Sequence, residues 1–156
     1  MPNPKAVTFI KKAKKFGEEG DDDKSLKFSN LTIQADLNWA DGYVSRGVLL
    51  SELGFAEAAI SDFDKAIELN FLNDFVLIQR ADAYMQIDSL KKALSDLTKA
   101  LEFAPENAEI YQMRGSIYIK MNNHRNARED LSKAIELNPV EHWTYFSRAT
   151  SVMSRN

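Results

Sequence analysis

The chain contains no cysteine. A disulfide framework, a thiol nucleophile and a cysteine-ligated zinc site are therefore excluded. Histidine is nearly as scarce, with only His124 and His142. His124 stands in a turn between two helical patterns and reads as a packing residue. His142 has no carboxylate partner at helical spacing, so no metal site is expected. The six glycines are scattered, which leaves no glycine-rich loop to cradle a phosphate. No apolar run approaches the roughly 18 residues that span a bilayer. The opening MPNPKAVTFIKKAKKF also lacks the unbroken apolar stretch of a signal peptide. Net charge is −3, from 20 Lys and Arg against 23 Asp and Glu. That sign argues against general nucleic-acid binding, which needs a positive field to displace counterions. A soluble, cytoplasmic protein with no cofactor and no enzyme activity is expected.

What the sequence does contain is a period. Gly47, Ala81 and Gly115 lie 34 residues apart, and so do Ala59, Ala93 and Ala127, and Ala66, Ala100 and Ala134. Phe71, Pro105 and Pro139 keep the same step. A repeat of 20–50 residues implies stacked units, each burying its apolar face on the next. Every unit here holds two helical patterns. The small residue at 47, 81 and 115 lies in mid-helix, where glycine costs roughly 1 kcal/mol relative to alanine. The compensation expected is close contact with the second helix of the same unit, where Ala59, Ala93 and Ala127 leave room. Phe63, Leu97 and Leu131 then fill the layer beneath, and Ala66, Ala100 and Ala134 let the next unit dock.

This spacing of small and large residues resembles the tetratricopeptide repeat (TPR). The resemblance covers residues 40–141 as three regular repeats, 40–73, 74–107 and 108–141. It implies an all-α, right-handed superhelical solenoid of antiparallel helix pairs. Residues 1–39 read as a divergent helix pair, and residues 142–156 as a lone C-terminal capping helix. In the divergent pair Lys27 and Gln34 are expected in slots where the regular repeats carry alanine, with the join to the next repeat about two residues short. Phe9, Ala13 and Phe16 form a short apolar stripe among Lys11, Lys12, Lys14 and Lys15, which reads as the first helix of that pair rather than as a membrane-surface helix. Asp88 and Ser89 are expected to cap the second helix of the second repeat.

Two charged residues also follow the period. Arg46, Arg80, Arg114 and Arg148 precede the small residue, and Asp62, Asp96 and Asp130 precede the large one. Arg148 has no second helix in its own unit. Pairing across repeat boundaries is therefore expected, as Arg80–Asp62, Arg114–Asp96 and Arg148–Asp130, in a structural and not a catalytic role.

The resemblance further implies that a protein segment binds in a concave groove lined by the first helix of each repeat. By that analogy Asp41, Val44, Val48 and Glu52 face the groove in the first repeat. Phe75, Ile78, Asp82 and Met85 do so in the second, and Glu109, Met113 and Ile119 in the third. Trp143 and Phe146 would extend it. The carboxylates outweigh Lys120 alone, so the expected ligand is an apolar, basic-leaning peptide or helix. The carboxylate clamp that some TPR domains use for chaperone C-termini is not matched: its slots read Val44, Val48, Gln79, Glu109 and Met113. The protein is read as a non-catalytic scaffold or adaptor. The alternative is a self-associating subunit that dimerises through Tyr145, Ala149 and Val152 on its last helix.

Overall fold

The 34-residue period folds as paired helices. The computed structural model describes residues 1–139, and among these there are eight α-helices and no strand. They are α1 (Pro4–Glu18), α2 (Asp22–Ala35), α3 (Ala40–Glu52), α4 (Ala56–Glu68), α5 (Asp74–Gln86), α6 (Leu90–Phe103), α7 (Ala108–Lys120) and α8 (His124–Leu137). Two compact units divide the chain, residues 1–88 with α1–α5 and residues 89–156 with α6–α8 in their described part. The expectations for Trp143, Tyr145, Phe146, Arg148, Ala149, Val152 and the C-terminal helix lie outside the described residues. No described helix is long and apolar enough to cross a membrane.

Helix starts follow local chemistry. Asn73 accepts a hydrogen bond from the Val76 amide at the start of α5, and Asn107 from Glu109 at the start of α7. Asn123 does the same for α8 through Asn126. Each satisfies one amide that a helix leaves unpaired. Ser89, expected to cap α6, makes no such bond. Its neighbour Asp88 instead takes a left-handed backbone, φ 56°. So do Gly20, Gly54 and Asn122, with φ of 74°, 81° and 58°. These four residues are each 34 apart. They mark the turn between the two helices of every repeat, and glycine, aspartate and asparagine are the types that tolerate it.

Gly20 therefore puts the divergent N-terminal pair in exact register, with no residues missing from its join. Ser25 and Thr32, not Lys27 and Gln34, occupy the slots of Ala59 and Ala66. Both are buried, whereas Lys27 and Gln34 are exposed. Serine and threonine are small enough for the close approach, and each returns its hydroxyl to a backbone carbonyl, Ser25 to Ala13 and Thr32 to Phe28. Ser29 stands in the slot of Phe63, and its buried hydroxyl has no hydrogen-bond partner.

The mid-helix glycines touch more than the alanines expected opposite them. A Cβ on Gly47 would lie 2.8 Å from the Phe63 ring, and one on Gly115 would lie 2.8 Å from Leu131 Cγ. The large side chain of the second helix is thus seated on the glycine itself. Phe63 and Leu131 are wholly buried there, which is worth about 1.5–3 kcal/mol for each side chain. In the first unit this contact joins α3 to α4, and in the second α7 to α8. Tyrosine fixes the loop before each of these pairs: Tyr43 Oη donates to the Leu37 carbonyl and Tyr111 Oη to that of Pro105.

The arginine ladder exists, but in a different register from the one expected. Arg46 forms a two-pronged pair with Asp62, Nε and Nη2 each 2.7 Å from a carboxylate oxygen. Arg114 and Asp130 repeat that geometry. Both pairs lie within one repeat, which corrects the expected Arg80–Asp62 and Arg114–Asp96 pairing, while Arg148 lies outside the described residues. The cross-repeat reach is made by the remaining prong. Arg46 Nη1 donates to Asn30 on α2, Arg80 Nη1 to Asp64 on α4, and Arg114 Nη1 to Thr98 on α6. Asn30, Asp64 and Thr98 share one slot of the period. A planar guanidinium with five donors can serve both directions at once, which explains arginine here rather than lysine. Hydrogen bonds to Asp62 and Asp130 hold Arg46 and Arg114 above the ordinary arginine range, with burial opposing. In the divergent pair the matching residues are Lys12 and Phe28, and the Lys12 ammonium sits 5.2 Å from the Phe28 ring centroid.

Three outcomes follow from this packing. Gly47→Ala should lower stability by about 1–3 kcal/mol through overpacking, despite a better helix propensity. In a Phe63→Leu background it should cost less, because the second repeat carries Ala81 and Leu97 in these slots; denaturant melts of the four chains decide it. Ser29→Ala should raise stability by about 1 kcal/mol, since it removes an unsatisfied buried hydroxyl. Double-mutant cycles should give Asp62 a coupling to Arg46 of about 1–3 kcal/mol and a smaller one to Arg80; the opposite order would restore the cross-boundary register.

Candidate functional site

The first helices of the repeats in the N-terminal unit lie side by side, with α3 packed against α1 and α5. Each spends part of its surface on its own partner helix. Gly47 and Tyr43 turn towards α4 and the preceding loop, and Arg46 reaches α2 and α4. At 3.6 residues per turn, that leaves the face of Asp41, Val44, Ser45, Val48 and Glu52 pointing elsewhere. This face borders a half-open cavity of about 450 Å³. The volume lies within the range of small ligand clefts, about 300–1,000 Å³.

The floor and walls are mostly apolar. Val44, Val48 and Leu49 come from α3, Ile10 and Ala13 from α1, and Phe71 and Phe75 from the loop before α5 and its first turn. Val44 and Leu49 are buried and Val48 is half-buried, while Phe75 remains 48% exposed. An aromatic ring left in solvent at the mouth of an apolar cleft is a ready contact surface. Three charged side chains line the cavity: Asp41 in the first turn of α3, Glu52 at its last residue, and Lys14 on α1. Glu52 lies eleven positions after Asp41, or about 16 Å along the helix axis. At the Glu52 end α5 is tied to α3 by Gln86, whose amide nitrogen donates to Ser51 Oγ at 2.8 Å and to Asp82 at 2.9 Å.

Of the residues expected in the groove, Asp41, Val44, Val48, Glu52 and Phe75 line this cavity together. Ile78 is buried, Asp82 is exposed and bonded to Gln86, and Met85 is half-buried; none of these three borders the cavity. Glu109, Met113 and Ile119 lie on α7 in the other unit, the first exposed and the others half-buried. Ile10, Lys14, Phe71 and Asn73 were not expected and do border it. The signal for the first two was available, since they stand 34 before Val44 and Val48. Lys14 also corrects the charge reading, in which Lys120 was the single groove cation. Among the described residues no group of three or more His, Asp or Glu could hold a metal ion.

The sequence profile of the tetratricopeptide repeat family matches residues 40–71, 76–107 and 108–141. No functionally curated protein is similar to the chain in sequence. Solved structures of like fold include MamA from Desulfovibrio magneticus RS-1, at 20% identity over 99% of this chain and 88% of that one, with a TM-score of 0.93. A tetratricopeptide repeat protein from Parabacteroides merdae is 23% identical, with a TM-score of 0.85, and covers 97% of this chain and 60% of its own. YrrB, described as a TPR protein with an unusual peptide-binding site, is 17% identical over 96% of this chain and 77% of its own, with a TM-score of 0.83. At these identities the likeness is one of fold. The three matched repeats, the helix pairs locked at Gly47 and Gly115, and this agreement in fold make the chain a member of the tetratricopeptide repeat family.

Proposed function

We propose that the protein is a non-catalytic scaffold or adaptor that holds an apolar, basic-leaning segment of a partner protein in the cleft between α1, α3 and α5. Repeats of this family are protein-interaction modules, and their exposed first-helix faces are the usual contact surface. The observation that carries the proposal is the cavity itself. It joins a floor of Ile10, Val44, Val48 and Leu49 to an exposed aromatic ring at Phe75, under two carboxylates and one lysine. Such a surface suits large apolar side chains at its centre and positive charge at its rim. Fold alone does not name a partner, and the chemistry of this cleft is the basis for the ligand class.

The test is affinity purification of the tagged chain from its native cells, beside two variants. Val48→Lys puts into the cleft the residue that α1 already carries in the matching slot, Lys14, so the fold should tolerate it. Glu57→Lys alters an exposed position on α4. Proteins retained by the native chain and by Glu57→Lys, but lost with Val48→Lys, are the expected result. A partner set that Val48→Lys leaves unchanged would place binding on another surface.

A further inference from the structure

The three charges of the cleft are not distributed evenly along it. Lys14 stands in the slot of Val48, one helical turn before Glu52, so cation and carboxylate share the end closed by Gly17 and Ser25. Asp41 stands at the opposite end, in the first turn of α3. Phe75 occupies the matching slot on α5, and Phe71 and Asn73 precede it in the adjoining loop. Asn73 has committed its side-chain oxygen to the Val76 amide. The cleft is therefore polar in its long direction: one end carries offsetting charges, and the other a carboxylate beside two aromatic rings.

We infer that the Asp41–Phe71–Phe75 end is a subsite for one arginine or lysine side chain of the bound segment, next to an apolar side chain seated on Ile10, Val44 and Val48. The inference rests on the proposed use of this cleft and adds which residue type confers specificity, and where. A cation at that end gains a carboxylate at its head and aromatic surface along its stem. At the other end Lys14 opposes a second cation, so Glu52 contributes little to selection.

A display library of random heptapeptides, selected against the native chain, tests this. Enriched peptides should carry arginine or lysine within two positions of a large apolar residue. Fluorescence polarisation with the best such peptide should show about tenfold weaker binding to Asp41→Asn. Its citrulline or glutamine analogue should bind Asp41→Asn and the native chain alike. Glu52→Gln should leave both affinities within about twofold, and Val48→Lys should abolish binding of both peptides. If no peptide is enriched, or if Val48→Lys binds as well as the native chain, the cleft reading itself is overturned. If Val48→Lys blocks binding but the selected peptides show no basic residue, or Asp41→Asn keeps the preference, or Glu52→Gln removes it, the cleft stands and the cation subsite is wrong.

Discussion

The structure depends on one steric fact, that a large side chain from the second helix of a repeat rests on a residue of the first that has no side chain. Phe63 over Gly47 and Leu131 over Gly115 bring the two helices closer than any β-carbon would allow at those points. Interiors pack nearly as densely as organic crystals, so a contact this tight fixes the rotation of each helix about its axis and not just its distance. Once α3 is oriented by Gly47, its other faces follow. Arg46 is delivered to Asp62 on one side and Asn30 on the next, Tyr43 to the preceding loop, and Asp41, Val44, Val48 and Glu52 to the cleft.

The arginine ladder supplies what apolar packing lacks, a directional bond with a fixed register. Small residues would tolerate some sliding of one helix along its neighbour. A guanidinium that grips a carboxylate with two prongs and a neighbouring repeat with a third does not. The divergent N-terminal pair keeps the position but changes the chemistry: Lys12 over Phe28 exchanges an ion pair for a cation–aromatic contact, beside the stacked Phe16 and Phe28 rings. Its small residues are Ser25 and Thr32 rather than alanine, and their hydroxyls are absorbed by carbonyls nearby. The same steric rule is thus met with different residue types.

Much of this was legible in the residue pattern, and the failures are specific. The period placed the paired helices and the small residues, because steric demands repeat wherever the geometry repeats. Alanine and apolar residues do not carry the N-terminal register, because the divergent pair replaces them, whereas the turn residues Gly20, Gly54, Asp88 and Asn122 carry it through their tolerance of positive φ. The ladder's register was inferred by elimination from Arg148, and the branched donor of arginine, which serves two directions at once, made that elimination unsafe. Ile10 and Lys14 stand 34 before Val44 and Val48 and border the same cleft, but they fall outside the regular repeats from which the groove was expected. No single-helix pattern reveals a cavity shared by three helices, so the pairing of Asp41 with Phe71 and Phe75 needed coordinates.

The most direct measurement is of the Gly47 contact in solution. One α-proton of Gly47 occupies the direction of the absent β-carbon and points at the Phe63 ring. Proton NMR should show that α-proton shifted by the ring current, with strong nuclear Overhauser contacts to the Phe63 ring protons. Two equivalent α-protons at ordinary shift, with no contact to Phe63, would contradict the packing from which the ladder and the cleft both follow.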